Sequence, residues 1–562
     1  MKFSELPYTR PDLDVLSEKL DQLTRRIQNA ESVQEQIQVV HEFDTITNDF
    51  ATMTTIAHIR STCNSNDKFY ADEKAYCDSI APLAEEKTLA VRKALYDSPF
   101  RKELEEAFGP LLFTNMEMDA RAFSPELIPL MQEESRLVRE YQSLCAGARI
   151  SFDGKILTLS ELGAYKSSPD RELRRKALIA EGTFFDDHQA QFDKIFDDLV
   201  KNRTEQAHRL GMKNYVELGY LRRKRNCYTP KDVDVFRKQV IADVVPINME
   251  LKKEQAQEIG VDQLRFWDND YFYDDGNPAP QGTYDEILAA GRKMYTELSP
   301  ETADFIKQMM DDDMFDVLPH EGKAPGGFCS FLPNIGSSFI YSNFNGTAGD
   351  VDVLTHEAGH AFFNYMSRSI CPALLRKPSQ DGCETHSMSM EFLTAPWHHL
   401  FFGEQTDKYE RFHAQSALLF IPYGCMVDHF QELVYIHPNW TPEQRNEAWL
   451  WLEKQYRPYL DFEDLPFYSR GAGWQRQRHI YLYPFYYIDY AMAQTMSLQF
   501  WARSLKDWPE TWKQYLKFLS YGGTRTFIDI VEQVGLLSPL KEGTMASICG
   551  TIKQWLDEHQ LH

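Results

Sequence analysis

Leu13, Leu16, Leu20 and Leu23 recur at steps of three and four, with charged residues between them. That period sets them along one face of a helix. The same texture returns over 91–107 and 127–144, so the first 145 residues read as helix after helix. Between 149 and 159 the period changes. Two alternating runs flank Asp153-Gly154, which predicts a β-hairpin with a two-residue turn. Helices resume from Ser160 to about Ile259, and the Gly- and Pro-rich stretch 274–280 is a loop. Short strands are expected at 326–331 and 338–344, after which helices dominate to the C-terminus. No internal repeat or low-complexity tract is visible.

Composition adds exclusions. With 43% apolar and 26% charged residues, the 562-residue chain is an ordinary globular protein with ample material for a core. Its formal net charge of −24 repels phosphate backbones and anionic lipid, so neither nucleic acid nor a membrane is an expected partner. The longest basic run, Arg222-Arg223-Lys224-Arg225, is expected to be a solvated helix end or loop. Nine cysteines without a CxxC pair suggest reduced thiols inside a cell. No leader pattern and no long apolar run are visible, so a cytoplasmic location is expected.

The chemistry concentrates at His356-Glu357-Ala358-Gly359-His360. Residues four apart on a helix share a face, so both imidazoles can converge on one ion, and Glu357 lies round the same turn, within reach of a metal-bound water. Apolar Val353, Leu354 and Ala361 to Phe363 place this helix in a core. There, unliganded polar groups would be costly, although a core helix with satisfied polar groups would show the same pattern. The extension His-x-x-Gly-x-x-His is missing, because Phe363 and Met366 stand where Gly and His would be. A glutamate on a following helix is the other common third ligand. Glu384 stands 24 residues after His360, room for helix, turn and return. His386 should point away from Glu384. Glu391 shares the face of Glu384, as a hydrogen-bond partner of a ligating histidine or as an ordinary buried ion-pair partner. His398, His399, His429 and His437 lack convergent partners and read as structural or surface residues. A last concentration, Gln477 to Tyr490, crowds tyrosines around His479. It is either an aromatic core helix or a source of donors toward an oxyanion, with Tyr483, Tyr487 and Tyr490 along one helix side.

With these residues in view, the chain resembles the thimet oligopeptidase and oligoendopeptidase F family of zinc peptidases, more closely the oligoendopeptidase F and Pz-peptidase branch. The carriers are His356-Glu357-x-x-His360, Glu384-x-x-Ser387-x-x-x-Glu391, and His479 with the tyrosine-rich run ending at Tyr490. The resemblance implies a mainly α, elongated, zincin-like fold, with a small β-sheet beside the active-site helix and a deep central channel. It implies an N-terminal helical region, 1–165, in the channel wall and a catalytic domain, 166–562. It implies one Zn2+ per chain on His356, His360 and Glu384, with Glu357 as general base. His479 and Tyr490 would be catalytic, and Tyr483 and Tyr487 would bind substrate. The expected activity is endopeptidase cleavage of short peptides. The alternatives are a dipeptidyl carboxypeptidase on the same scaffold and a non-catalytic helical peptide-binding protein. A strand within 338–344 is expected to pair with substrate backbone.

Overall fold

The computed structural model describes residues 1–324 and 326–561, so His562, the last residue of the expected catalytic domain, lies outside it. The fold is mainly helical, as expected, with a hairpin and one small sheet. No described helix is long and apolar enough to cross a membrane. Contacts divide the chain into two compact units, each assembled from three separate segments, whereas the sequence predicts a single division near 165.

The first unit comprises Met1–Pro125, Ala279–Thr406 and Gln499–Leu536. It opens with the helix Leu13–Asn29, whose start is fixed by the Asp12 carboxylate accepting from the amides of Asp14 and Val15. The predicted stripe turns inward: Leu16, Leu20, Leu23 and Ile27 are buried against Val39, Val40 and Phe43 of the next helix, Val33–Cys63. The periodic stretch 91–107 is not one helix. The helix Lys68–Tyr96 ends, and Arg101–Phe108 begins, around Ser98-Pro99, because a residue before proline is driven out of the helical region.

The sheet of this unit has three strands. Ser337–Tyr341 is central, parallel to Phe315–Asp316 on one side and antiparallel to Phe328–Leu332 on the other. All five central residues are buried. Both its edges are occupied, so the expectation that this strand pairs with substrate is corrected: its neighbours already take its backbone groups. Of the two edge strands Phe328–Leu332 is the longer, and four of its five residues are partly exposed.

The helix Gly349–Ser367 follows the sheet, with Asn364 donating to the Ser338 hydroxyl at 3.1 Å. Its entry is a turn closed by the Asp350 carboxylate, which accepts from the amides of Asn345 and Gly346. The next helix, Gln380–Leu393, crosses it at Gly359. A Cβ there would lie 2.7 Å from Ser387 Cα and 3.1 Å from the His386 carbonyl oxygen. Helix Trp508–Ser520 backs this pair, with Tyr515 donating to the His386 carbonyl at 2.8 Å.

The second unit comprises Glu126–Pro278, Asp407–Leu498 and Leu537–His562. The hairpin is as predicted: Ile150–Phe152 pairs with Lys155–Leu157 across Asp153 and Gly154, both with positive φ. The tyrosine-rich stretch is not one helix. Helix Arg478–Leu482 stops, Pro484 and Phe485 turn the chain, and a new helix starts at Tyr487. Phe485 sits at φ 62, a left-handed conformation that a bulky residue adopts only under constraint. The constraint is visible. Gln431 accepts from the Phe485 amide at 3.0 Å, Arg225 donates to its carbonyl, and its ring lies over Gly219, where a Cβ would meet it at 2.5 Å.

This corrects the reading of Arg222 to Arg225 as solvated. Arg225 is buried, donates to Asp489 at 3.0 Å, and stacks on Tyr220 at 4.4 Å. Arg223 donates to the Pro484 carbonyl at 3.1 Å and covers the Tyr486 ring at 5.0 Å. The run is a strap on the aromatic turn. Pro484 and Asp489 lie more than 250 residues from it, beyond any local pattern.

Two stability outcomes follow. Gly359→Ala should destabilise the metal-free protein by about 1–3 kcal/mol, since backbone rather than a flexible side chain opposes the new methyl. Gly550→Ala, in an exposed helix position with open space, should stabilise by about 0.5–1 kcal/mol. Equal thermal unfolding of the two variants would contradict the packing described. Arg225→Met should cost about 3–5 kcal/mol by removing the guanidinium from buried Asp489. Denaturant unfolding checks this, with an unchanged midpoint as the contrary result.

Candidate metal centre

His356 and His360 stand one turn apart on the helix Gly349–Ser367, rings edge to face at 5.0 Å. The Nε2 atoms approach the same Glu384 oxygen, at 3.5 and 3.4 Å. One ligand atom from each residue falls within 4.8 Å of the other two, and this is the group of three that the described residues offer to a metal ion. Ligands about 2.0–2.1 Å from a tetrahedral ion stand about 3.3–3.4 Å from one another, so the donors are spaced to hold one. Two neutral nitrogen donors and one carboxylate are also a chemically suitable set.

The surroundings orient these donors. His356 Nδ1 is 2.7 Å from Glu391 Oε1, which sets the Nδ1 proton toward the carboxylate and leaves Nε2 facing Glu384. The hydrogen-bonding reading of Glu391 is therefore the one the geometry favours. Ser387 donates to Glu384 Oε2 at 3.3 Å, and Gln380 approaches Oε1 at 3.5 Å. Burial disfavours the Glu384 carboxylate, yet its interactions with the His360 and His356 imidazoles hold its pKa well below the usual range. Burial acts the other way on Glu357. It raises that carboxyl, against the attraction of His356 and His360 and with the repulsion of Glu384 and Glu391. Their surroundings thus move these two carboxyls in opposite directions.

His386 points elsewhere. It stacks on Phe363 at 3.9 Å and meets Phe518 edge-on, and burial drives its pKa well below the ordinary value. The other histidines set aside by sequence also have local partners: His429 contacts the Tyr456 hydroxyl at 3.1 Å, and His437 stacks on Trp440.

In the second unit, His479 gathers the predicted tyrosines by a route other than a single helix face. Its ring centroid lies 4.9 Å from Tyr487, 5.9 Å from Tyr490 and 6.1 Å from Tyr483. Tyr490 is half-buried and Tyr483 is 51% exposed. Tyr486, which sequence reasoning passed over, belongs to the same cluster: it stacks on His479 at 5.8 Å and meets Tyr490 edge-on at 4.9 Å. Three residues after Tyr483 and four before Tyr490, it was within reach of the same helical spacing.

Comparison with known proteins agrees with this geometry. Residues 3–123 match the peptidase M3 N-terminal domain and residues 164–548 match peptidase family M3. Pz peptidase A, solved with an inhibitor, is 43% identical over 99% of both chains, with a TM-score of 0.95. A structure assigned as an oligoendopeptidase F shares 41% identity over 99% of both chains, also with a TM-score of 0.95. A Bacillus anthracis protein with the same assignment is 41% identical over 100% of this chain and 99% of its own, with a TM-score of 0.91. No curated protein sequence matches. The chain belongs to peptidase family M3, on its oligoendopeptidase F and Pz-peptidase branch, and is a metallopeptidase.

Proposed function

We propose that the protein is a zinc-dependent oligoendopeptidase, cutting internal bonds of short peptides, with His356, His360 and Glu384 as metal ligands. The observation that carries this reading is the convergence of both Nε2 atoms on one Glu384 oxygen, at the spacing a tetrahedral ion requires. Imidazole with carboxylate suits zinc among the common divalent ions. When bound, zinc acidifies a water molecule and polarises the peptide carbonyl.

The chain's own residues supply the remaining steps. Glu357, its carboxyl raised by burial, takes a proton from the attacking water and passes it to the leaving amine. Glu391 keeps His356 in the tautomer that presents Nε2. His479 and Tyr490 donate to the carbonyl oxygen as it gains negative charge, and Tyr483 and Tyr487 hold the substrate. Support for these four roles is their clustering around one imidazole and their match to the family pattern. The substrate backbone pairs with the edge strand Phe328–Leu332, in place of the central strand. Cys329 on that strand feels the Glu357 charge, which together with burial raises its thiol to about 12.

The test is cleavage of an internally quenched peptide blocked at both ends, with metal content measured on the same samples. Wild type should hold about one zinc per chain and cleave. Glu357→Ala should hold the same zinc and lose cleavage by a factor on the order of 10²–10⁴, the usual share of a general base. Zinc-loaded wild type that spares blocked peptides but trims free carboxyl ends would overturn the endopeptidase assignment. Undiminished cleavage by Glu357→Ala would overturn the role of that residue.

A further inference from the structure

Gln477 connects three side chains of the second unit. Its backbone is fixed at the junction of two short helical turns, its amide donating to Trp474 and its carbonyl accepting from Ile480. Its side-chain Oε1 lies 2.7 Å from the Tyr423 hydroxyl, and its Nε2 lies 3.0 Å from His479 Nδ1. The same amide also lies close to the Tyr487 hydroxyl, whose pKa burial raises.

The direction of these bonds decides what His479 can do. Arg457 lies over the Tyr423 ring at 4.5 Å, and both Arg457 and Arg476 act on this phenol as nearby positive charges. The Tyr423 hydroxyl donates to Gln477 Oε1, which accepts through its carbonyl oxygen. The carbonyl end of the amide is thereby placed at Tyr423 and the NH2 end at His479. An NH2 group facing Nδ1 requires a lone pair there, so the imidazole proton resides on Nε2.

We infer that Gln477 is a positioning residue for the hydrolysis, holding His479 as the neutral Nε2–H tautomer, a hydrogen-bond donor rather than a proton acceptor. This rests on the role of His479 given under the proposed function and supplies its physical basis. Tyr423 sets the amide orientation, and the amide in turn sets where the imidazole proton resides.

The experiment is a ¹⁵N–¹H correlation spectrum of histidine-labelled, zinc-loaded protein, with His479→Gln identifying the His479 signals. Wild type should show a protonated Nε2 and a bare Nδ1 at His479. Gln477→Glu replaces the donor by an acceptor, so it should move the proton to Nδ1. That variant should lower kcat by about 10²–10³, the effect of losing one donor to an oxyanion, with zinc content and KM little changed. Gln477→Leu and Tyr423→Phe should give mixed tautomers and intermediate rates. A wild-type proton on Nδ1, or a tautomer unmoved in Gln477→Glu, would overturn the inference. A switched tautomer with undiminished hydrolysis would overturn the positioning role and remove His479 from the reaction.

Discussion

Three polar side chains, two imidazoles and one carboxylate, face one another where helices Gly349–Ser367 and Gln380–Leu393 touch at Gly359. Much of the first unit serves that contact. Only a glycine lets the backbones approach so closely, and only that approach brings Glu384 within 3.5 Å of both Nε2 atoms. Buried groups of this kind are stable when paired or shared with a cation. Glu391, Ser387 and Gln380 hold the ligand atoms in orientation, while Tyr515 and Trp508 fasten the second helix from behind. The sheet follows the same logic: its buried central strand abuts the helix through Ser338 and Asn364, leaving Phe328–Leu332 as the longer edge.

The second unit solves a different problem, that of presenting aromatic hydroxyls and one imidazole in a fixed array. On one regular helix, Tyr483, Tyr486, Tyr487 and Tyr490 would share a side with His479 along a straight axis. A left-handed Phe485 folds them back on His479 instead, and such a backbone persists only because Gln431, Arg225 and the space over Gly219 hold it. Gln477 then aligns the polar atoms of the array. Backbone strain, buried ion pair and amide are parts of one support, consistent with the rule that functional geometry is held by its surroundings.

What could be read in advance was what lies on a single helix. His356 and His360 are four apart, and Glu384, Ser387 and Glu391 fall at steps of three and four, so helical geometry alone sets them on shared faces. The Asp153-Gly154 hairpin was equally legible from turn chemistry. What escaped depends on distant partners. The Arg222 to Arg225 run looks solvated until residues beyond 480 fold onto it. The break at Pro484-Phe485 is held by Gln431 and Arg225, which a helical period cannot foresee. The strand Phe315–Asp316 is too short to leave a pattern, yet it is what closes the second edge of Ser337–Tyr341. The compact units were hidden because the chain leaves each one and returns to it.

The central claim is that His356, His360 and Glu384 together hold one zinc ion, and X-ray absorption at the zinc edge tests it most directly. Zinc-loaded protein should show two imidazole nitrogens at about 2.0–2.1 Å and a carboxylate oxygen at about 2.0–2.2 Å, with the imidazole signal reduced in His360→Ala. A sulfur ligand at about 2.3 Å, or a spectrum unaltered in His360→Ala, would place the metal elsewhere and contradict the account.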